Sequence, residues 1–163
     1  MKVIKGRKIY LREICEKDLE KVRQWINSKT VSHALNIKKK ITFKRQLNWY
    51  ERYLKDDRKN VFAIVRNDSH EHIGNISLFD ITEKSAYLTI FIGESDSLRK
   101  GFGSEALALL INHCRRLHIA TLFLTVNSDN KEAIQFYVKS GFALNDEVQR
   151  NSKEIFKMKI NIV

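Results

Sequence analysis

A glycine turn that follows two cationic residues is the segment of this chain whose residue types most clearly suggest chemistry. It lies within the stretch Ser97-Leu-Arg-Lys-Gly-Phe-Gly-Ser-Glu-Ala106, and a helical pattern of apolar residues continues from it. Glycine lets a ligand approach the backbone closely, and the first N–H groups of a helix have no intrahelical acceptor. A strand-like run, Tyr87–Ile92, precedes the turn. The order of strand, glycine turn and helix therefore predicts a phosphate-binding site.

The turn also satisfies the short Gly-x-Gly-x-x-Ala pattern of dinucleotide-binding folds. Its surroundings argue against that class, because three antiparallel strands are predicted before it and only one βαβ unit contains it. The next strand ends in Asn127 rather than in the acidic residue that would bind a ribose. The P-loop pattern fails as well, since no Gly-Lys-Ser/Thr follows the first glycine at the required spacing. We therefore expect neither a nicotinamide nor a flavin.

The composition limits the class of protein. A chain of 163 residues fits a single domain, 1–163, with a substantial core. Cys15 and Cys114 fall in apolar patterns without metal-ligand spacing, so we expect reduced core thiols and no metal. No apolar run approaches the roughly 20 residues of a membrane span, and the first residues lack the apolar region of a secretory signal. We expect a soluble, cytoplasmic protein without a membrane partner.

The net charge of +11 is high for this length. Lys and Arg are spread along the chain rather than gathered in one strip with interleaved aromatic residues, so charge alone does not indicate nucleic-acid binding. A phosphate-bearing cofactor and an anionic substrate would use the same positive field.

Residue periodicity predicts an α+β fold with the element order β-α-α-β-β-β-α-β-α-β-β and a mixed, mostly antiparallel sheet. Alternation from Arg7 to Ile14 predicts the first strand, and 16–27 the first helix. Residues 28–40 are expected to form a loop or an irregular short helix. Thr42 caps the next helix. The apolar stripe expected on that helix consists of Phe43, Leu47, Tyr50 and Leu54.

The second half of the chain contains the predicted βαβ unit around the glycine turn. Three consecutive antiparallel strands lead to the turn, and an apolar strand at 121–126 closes the unit as a parallel neighbour. A last helix over 131–140 ends at Gly141. The other strands are predicted at 61–66, 72–81, 87–92, 142–148 and 154–162.

Two segments resemble the GNAT superfamily of acyl-CoA N-acyltransferases. The first is Phe91–Ala106 and the second is Asn130–Phe142, and both occur in the order and separation of that family. The element order matches from about residue 7 to 162. The resemblance implies one GNAT-type domain, acetyl-CoA as cosubstrate and transfer of an acetyl group to an amine. A homodimer is possible on the same resemblance.

The resemblance also implies which residues contact the cofactor. Backbone groups near the end of the strand would pair with the pantetheine arm, and the turn would hold the pyrophosphate. The residues implied for these roles are Phe91, Ile92, Gly93, Arg99, Lys100, Gly101, Phe102, Gly103 and Ser104. The family pattern begins with Gln or Arg where this chain has Leu98, so binding is expected to depend on backbone N–H groups and on the Arg99-Lys100 charge. Asn127 and Asn130 are candidates for polar contacts, with helix capping as the alternative.

Tyr137 lies on the last helix, where similar proteins use tyrosine as the general acid. A phenol with a pKa near 10 can donate a proton to a departing thiolate, although packing in the core is the alternative role. The base is harder to assign, because Tyr87 stands where family members often carry glutamate. A water chain, Tyr87 or a carboxylate elsewhere must accept the proton of the attacking amine. Glu94 is the nearest acid in the sequence but is expected to be solvated, and His72 could contribute from the neighbouring strand, with a structural role as the alternative.

The region between the first two predicted strands resembles the branch that acetylates nucleotide-linked amino sugars, such as UDP-4-amino sugars. Ribosomal-protein N-terminal acetyltransferases and spermidine acetyltransferases are similar over the same stretch. The residues that carry this similarity are 25–27, Val31, 41–43, Trp49 and 61–64.

Charge distinguishes these acceptors, because a site for a polycation such as spermidine needs acidic residues. The same region instead carries Lys38–Lys40, Lys44 and Arg45, which favours a small anionic amine as the acceptor that attacks acetyl-CoA directly. The alternatives are a ribosomal-protein N-terminus or a polyamine as acceptor. A non-catalytic acetyl-CoA-binding protein is an alternative from another class. A nucleic-acid-binding module is a third and rests on net charge alone, so we expect no nucleic-acid partner.

Overall fold

The part of the chain that the structure describes forms one eight-stranded mixed sheet. The computed structural model describes residues 2–163, and the strand order is β1-β2-β3-β4-β5-β6-β8-β7. The strands are β1 (Val3–Lys5), β2 (Ile9–Glu13), β3 (Asn60–Arg66), β4 (His72–Phe79), β5 (Ser85–Ile92), β6 (Thr121–Asn127), β7 (Ala143–Arg150) and β8 (Lys153–Asn161). All neighbours are antiparallel except β5 and β6, which are parallel. The predicted α+β class with a mostly antiparallel sheet is confirmed.

Within residues 2–163, five α-helices flank this sheet: α1 (Leu19–Asn27), α2 (Lys29–Ala34), α3 (Phe43–Tyr53), α4 (Phe102–Arg116) and α5 (Lys131–Lys139). The short helix α2 lies in the segment expected to be a loop or an irregular helix. Its start is fixed by Ser28, whose side chain accepts a hydrogen bond from the N–H of Val31. Strand β1 was not predicted, because three residues are too few to show alternation.

The apolar stripe predicted for α3 is partly wrong. Phe43 and Leu54 are 45% and 63% exposed, whereas Gln46 is buried. The helix packs on α1 through a neighbouring face, which contributes Leu47, Trp49, Tyr50 and Tyr53 to the second core cluster. The cap is confirmed, since the side chain of Thr42 accepts a hydrogen bond from the N–H of Arg45.

The core lies on both faces of the sheet. On one face, the apolar side of α4 packs against β2, β4 and β5, and its buried residues include Ala106, Leu107 and Leu110. On the other face, Leu19 and Trp25 of α1 belong to a second cluster that includes Val61 of β3 and Phe91 of β5. A helix with a wide apolar stripe gains stability from this burial, since each fully buried aliphatic side chain contributes about 2 kcal/mol.

Strands β5 and β6 separate soon after they meet. Their parallel pairing covers only residues 85–87 of β5 and 121–123 of β6. Beyond this point β6 remains paired with β8 as far as Asn127, while β5 remains paired with β4 as far as Ile92. The two strands therefore open a gap at their carboxyl ends, directly before the glycine turn.

No helix within residues 2–163 is both long enough and apolar enough to cross a membrane. Cys15 and Cys114 are free thiols, and burial raises the pKa of Cys114 to about 12, so this thiol stays protonated. In the same range, no three His, Cys, Asp or Glu side chains are grouped so that they could hold a metal ion.

Candidate active site

A cavity of about 790 Å³ occupies the gap between β5 and β6. Its walls come from α2 and the turn after it, from β5, from the glycine turn at the start of α4, from the end of β6 and from α5. Clefts of this volume hold ligands of cofactor size, and they are common where neighbouring strands of an α/β unit diverge.

The glycine turn forms one end of this cavity. Gly101 precedes α4 with a φ of +82°, a left-handed conformation that favours glycine. The N–H groups of Phe102, Gly103 and Ser104 belong to the first helical turn, where a helix offers them no acceptor. A Cβ at Gly103 would lie 3.8 Å from the Phe136 ring, an ordinary contact. Packing within the protein therefore does not require glycine at 103, and the close approach of a ligand there stays a prediction.

Cationic side chains from two parts of the chain lie at the turn, and the contribution of Lys8 was not predicted. Arg99 lines the cavity, and its Nε lies 3.4 Å from Oε1 of the exposed Glu132. Lys8, from the start of the chain, donates a hydrogen bond from Nζ to the Lys100 carbonyl at 3.0 Å. Lys100 itself is exposed and does not line the cavity, so its contact with the cofactor stays a prediction. No local sequence signal links Lys8 to a turn 92 residues away.

The end of β5, which is predicted to pair with the pantetheine arm, forms part of the cavity wall. Phe91 and Ile92 line the cavity, whereas Gly93 does not. The N–H of Gly93 donates to the Ile73 carbonyl at 2.8 Å, and a Cβ at this position would overlap the ring of Trp25. Glycine at 93 is therefore required by the close approach of α1, and only its carbonyl is left for the predicted pairing.

The two candidate asparagines differ. Asn127 is buried, its Nδ2 donates to the His33 carbonyl at 3.1 Å, and its Oδ1 accepts from Asn36 at 2.8 Å. It thus ties β6 to the turn after α2 and does not line the cavity. Asn130 caps α5 through Oδ1, which accepts from the N–H of Ala133 at 3.2 Å. Asn130 also lines the cavity, so capping and ligand contact are compatible there.

Tyr137 lies in the same cavity as the glycine turn. The residue is 8% exposed and packs edge-on against Phe136 and Phe142, with ring centroids 5.2 Å and 5.8 Å away. Burial raises its pKa to about 12, so the hydroxyl stays protonated near neutral pH. A phenol held in the neutral form can donate a proton and is unsuited to accept one.

The three candidates for the base lie outside the cavity wall. Glu94 accepts hydrogen bonds from Trp25 Nε1 at 3.2 Å and is 3.1 Å from Lys21 Nζ, so it is paired with α1 rather than free in solvent. His72 is buried, with Nε2 2.7 Å from Oδ1 of Asn75. These contacts fit the structural role weighed for His72.

Tyr87, the third candidate, stacks on Phe79 with centroids 5.6 Å apart. The contacts of Glu94, His72 and Tyr87 place none of these three side chains beside Tyr137. The role predicted for Tyr87 stays a prediction.

Comparison with known proteins agrees with this geometry. The family model for the acetyltransferase (GNAT) domain matches residues 8–143. An N-acetyltransferase 9-like protein of Dictyostelium discoideum is 26% identical over 95% of this chain and 81% of its own length. A second one, from Nematostella vectensis, is 22% identical over 93% and 80%. The chain belongs to the GNAT acetyltransferase family, and it is an acetyl-CoA-dependent N-acetyltransferase.

Solved structures show the same fold. The spermidine N-acetyltransferase of Vibrio cholerae, in complex with CoA and spermine, superposes with a TM-score of 0.87 over 96% of both chains at 18% identity. A domain from Methanocaldococcus jannaschii superposes with a TM-score of 0.80 over 95% of this chain and all of its own, at 17% identity. These similarities do not support the amino-sugar branch that was expected within the family.

Proposed function

We propose that the protein transfers the acetyl group of acetyl-CoA to a primary amine of a polyamine. The observation that carries the proposal is a single cavity that contains both the N-terminus of α4 and the Tyr137 side chain. Similarity to spermidine N-acetyltransferases over nearly the whole chain supports a polyamine rather than an amino sugar as acceptor.

The cavity residues suit the steps of this reaction. The N-terminus of α4 would bind the pyrophosphate, because its free N–H groups and helix dipole favour negative charge. The edges of β5 and β6 would place the pantetheine arm within the gap, since the two strands no longer pair with each other there. Tyr137 would protonate the departing sulfur when the amine attacks the thioester.

One wall of the cavity, which we take as its acceptor end, comes from α2 and the residue after it, from β4 and from the middle of β5. This wall carries no charge and consists of Thr30, Val31, Ala34, Leu35, Phe79 and Thr89. Lys38–Lys40, Lys44 and Arg45, whose charge favoured an anionic acceptor, do not line the cavity. An apolar wall lowers the pKa of an amine that is buried against it. It therefore favours the neutral form, which is the form that attacks.

An anionic acceptor remains a second candidate because of one observation. Residues 29–59, which include α2 and α3 beside this end of the cavity, contain ten Lys and Arg but only three Asp and Glu. Their field would attract an anion over the range of the Debye length, about 8 Å at physiological salt.

An acceptor screen tests the proposal. Thiol release from acetyl-CoA would be measured with spermidine, spermine, a UDP-linked 4-amino sugar and peptides that match ribosomal-protein N-termini. We expect the highest kcat/KM with a polyamine. Preference for the amino sugar would restore the anionic candidate. Tight binding of CoA without thiol release from any acceptor would contradict the proposed reaction.

A further inference from the structure

Three aromatic rings form a ladder across the sheet beside the acceptor end of the cavity. Phe79 and Tyr87 have ring centroids 5.6 Å apart, and Tyr87 and Phe123 have centroids 5.5 Å apart. Tyr87 is the cross-strand partner of both other residues. All three side chains are partly exposed, and none belongs to either core cluster. The ladder therefore leaves aromatic surface that is not covered by packing in the core.

One cation already lies on this surface. Lys157 of β8 places Nζ 5.2 Å from the ring centroid of Tyr87 and 4.7 Å from that of Phe123. Lys157 takes part in none of the ion pairs found among residues 2–163. The faces of aromatic rings attract an ammonium group at such distances. The Tyr87–Phe123 pair thus forms a site that accepts an ammonium ion without a carboxylate.

The ring pair is close to the cavity. Thr89 and Thr125 line the cavity, and they lie two residues beyond Tyr87 and Phe123 on the same face of the sheet. Two residues of a strand span about 6.6 Å. Lys157 is the cross-strand partner of Thr125. An acceptor whose amine enters the cavity would have its next nitrogen near the rings if a short alkyl chain joined the two.

We infer that the Tyr87–Phe123 ring pair is a subsite for the distal ammonium group of a polyamine acceptor, and that Lys157 competes for this subsite as a tethered cation. The inference rests on the proposed function. Two ammonium groups repel each other, so the acceptor can occupy the ring faces only when the flexible Lys157 side chain moves away. Tyr87 then serves acceptor binding through its ring rather than proton transfer through its hydroxyl.

The replacement Lys157→Met tests this competition, because it keeps an unbranched side chain and removes the charge. We expect the KM for spermidine to fall by roughly two- to fivefold, which corresponds to a cation–π contact at an exposed site. The KM for butylamine, which has no distal nitrogen, should not change.

Lys159→Met is the matched control. Lys159 is two residues away on the same face of β8 but has no ring contact among residues 2–163. An unchanged or higher KM for spermidine in Lys157→Met would overturn the inference. An equal decrease in Lys159→Met, or an equal decrease with butylamine, would also overturn it.

A second variant tests the rings themselves. Phe123→Leu, introduced together with Lys157→Met, should raise the KM for spermidine back to the wild-type value or above it, while thermal melts confirm that the variant is folded. A KM that stays low without the ring would contradict the subsite.

Calorimetric titration of spermidine into the CoA-loaded protein separates the two proposals. Absence of spermidine turnover in the wild type would contradict the proposed function. Tighter binding to Lys157→Met than to the wild type would still support the subsite, and equal or weaker binding would overturn it.

Discussion

Tyr137 is buried and also lines the cavity. Its ring packs between Phe136 and Phe142, while the residue contributes to the wall of the cavity that also contains the N-terminus of α4. Burial raises the pKa of the hydroxyl to about 12, so the proton is retained through the neutral range. The sequence indicated this residue only through its position in the last helix, and the structure adds the environment that keeps it a proton donor.

Replacement of Tyr137 by Phe is expected to lower kcat by about 10²- to 10⁴-fold, the usual contribution of a general acid. The KM for acetyl-CoA should change little, because the ring and its packing are preserved. Steady-state kinetics and the Kd for CoA measure the two effects separately. An equal loss of turnover and of CoA affinity would contradict the acid assignment.

Asn127 makes hydrogen bonds within the protein and does not line the cavity, so its expected contact with the cofactor stays a prediction. Its amide joins β6 to the carbonyl of His33 and to the side chain of Asn36. Replacement by Ala would remove these two hydrogen bonds of a buried amide, which costs about 1–3 kcal/mol of unfolding free energy. Urea denaturation measures that loss. A weaker Kd for CoA with unchanged stability would instead favour the predicted cofactor contact.

At the scale of elements, the glycine turn and α4 have the local geometry that is predicted for a preorganised anion site. Gly101 supplies the left-handed residue before the helix, and Lys8 adds a charge from the start of the chain. Gly103 lies within this unit and Gly93 precedes it, and the two glycines have distinct roles. A Cβ added at Gly103 would make only an ordinary contact, whereas a Cβ added at Gly93 would overlap the Trp25 ring.

Replacement of Gly103 by Val should greatly weaken CoA binding, because the side chain would fill the space that the pyrophosphate approaches. The fold should persist, since a Cβ there meets only the Phe136 ring at an ordinary distance. CoA titration and thermal melts measure the two properties. Gly93→Ala is the contrasting control and should destabilise the protein through the Trp25 ring. Unchanged CoA affinity in Gly103→Val would refute the phosphate role.

At the scale of the whole molecule, two buried groups make stability depend on pH. Burial lowers the pKa of His113 to about 4, with a further decrease caused by Lys2 and Arg116. Burial alone would raise the pKa of Asp18, but the two hydrogen bonds from Arg12 and the nearby His72 ring, with Nδ1 3.3 Å from Oδ1, hold it well below its usual range. In both cases the unfolded chain takes up a proton at a higher pH than the folded protein does.

Stability should therefore fall on acidification in two steps. Between pH 6.5 and 4 the unfolded state binds a proton at His113 that the folded protein excludes, which lowers the unfolding free energy by about 2 kcal/mol from pH 7.5 to pH 5. Below about pH 4 the contribution of Asp18 is lost as its carboxylate becomes protonated in the unfolded chain.

Urea denaturation at a series of pH values measures both steps. His113→Leu should remove the first step and leave the second. A first step of the same size in that variant would exclude His113 as its source.

The amino-acid sequence by itself determined the order of the elements, apart from the three-residue β1 and the short α2, and the position of the glycine turn. Alternation and helical spacing depend on which faces are buried, and glycine at a helix start has a local conformational cause, so both can be read from neighbouring residues. The tertiary structure decided which side chains share the cavity. It brought Lys8 to the turn, gave the buried Asn127 side chain its hydrogen-bond partners, paired Glu94 with α1 and placed Lys157 on the rings of Tyr87 and Phe123. These contacts join residues far apart in the chain, and their geometry follows from sheet register and packing.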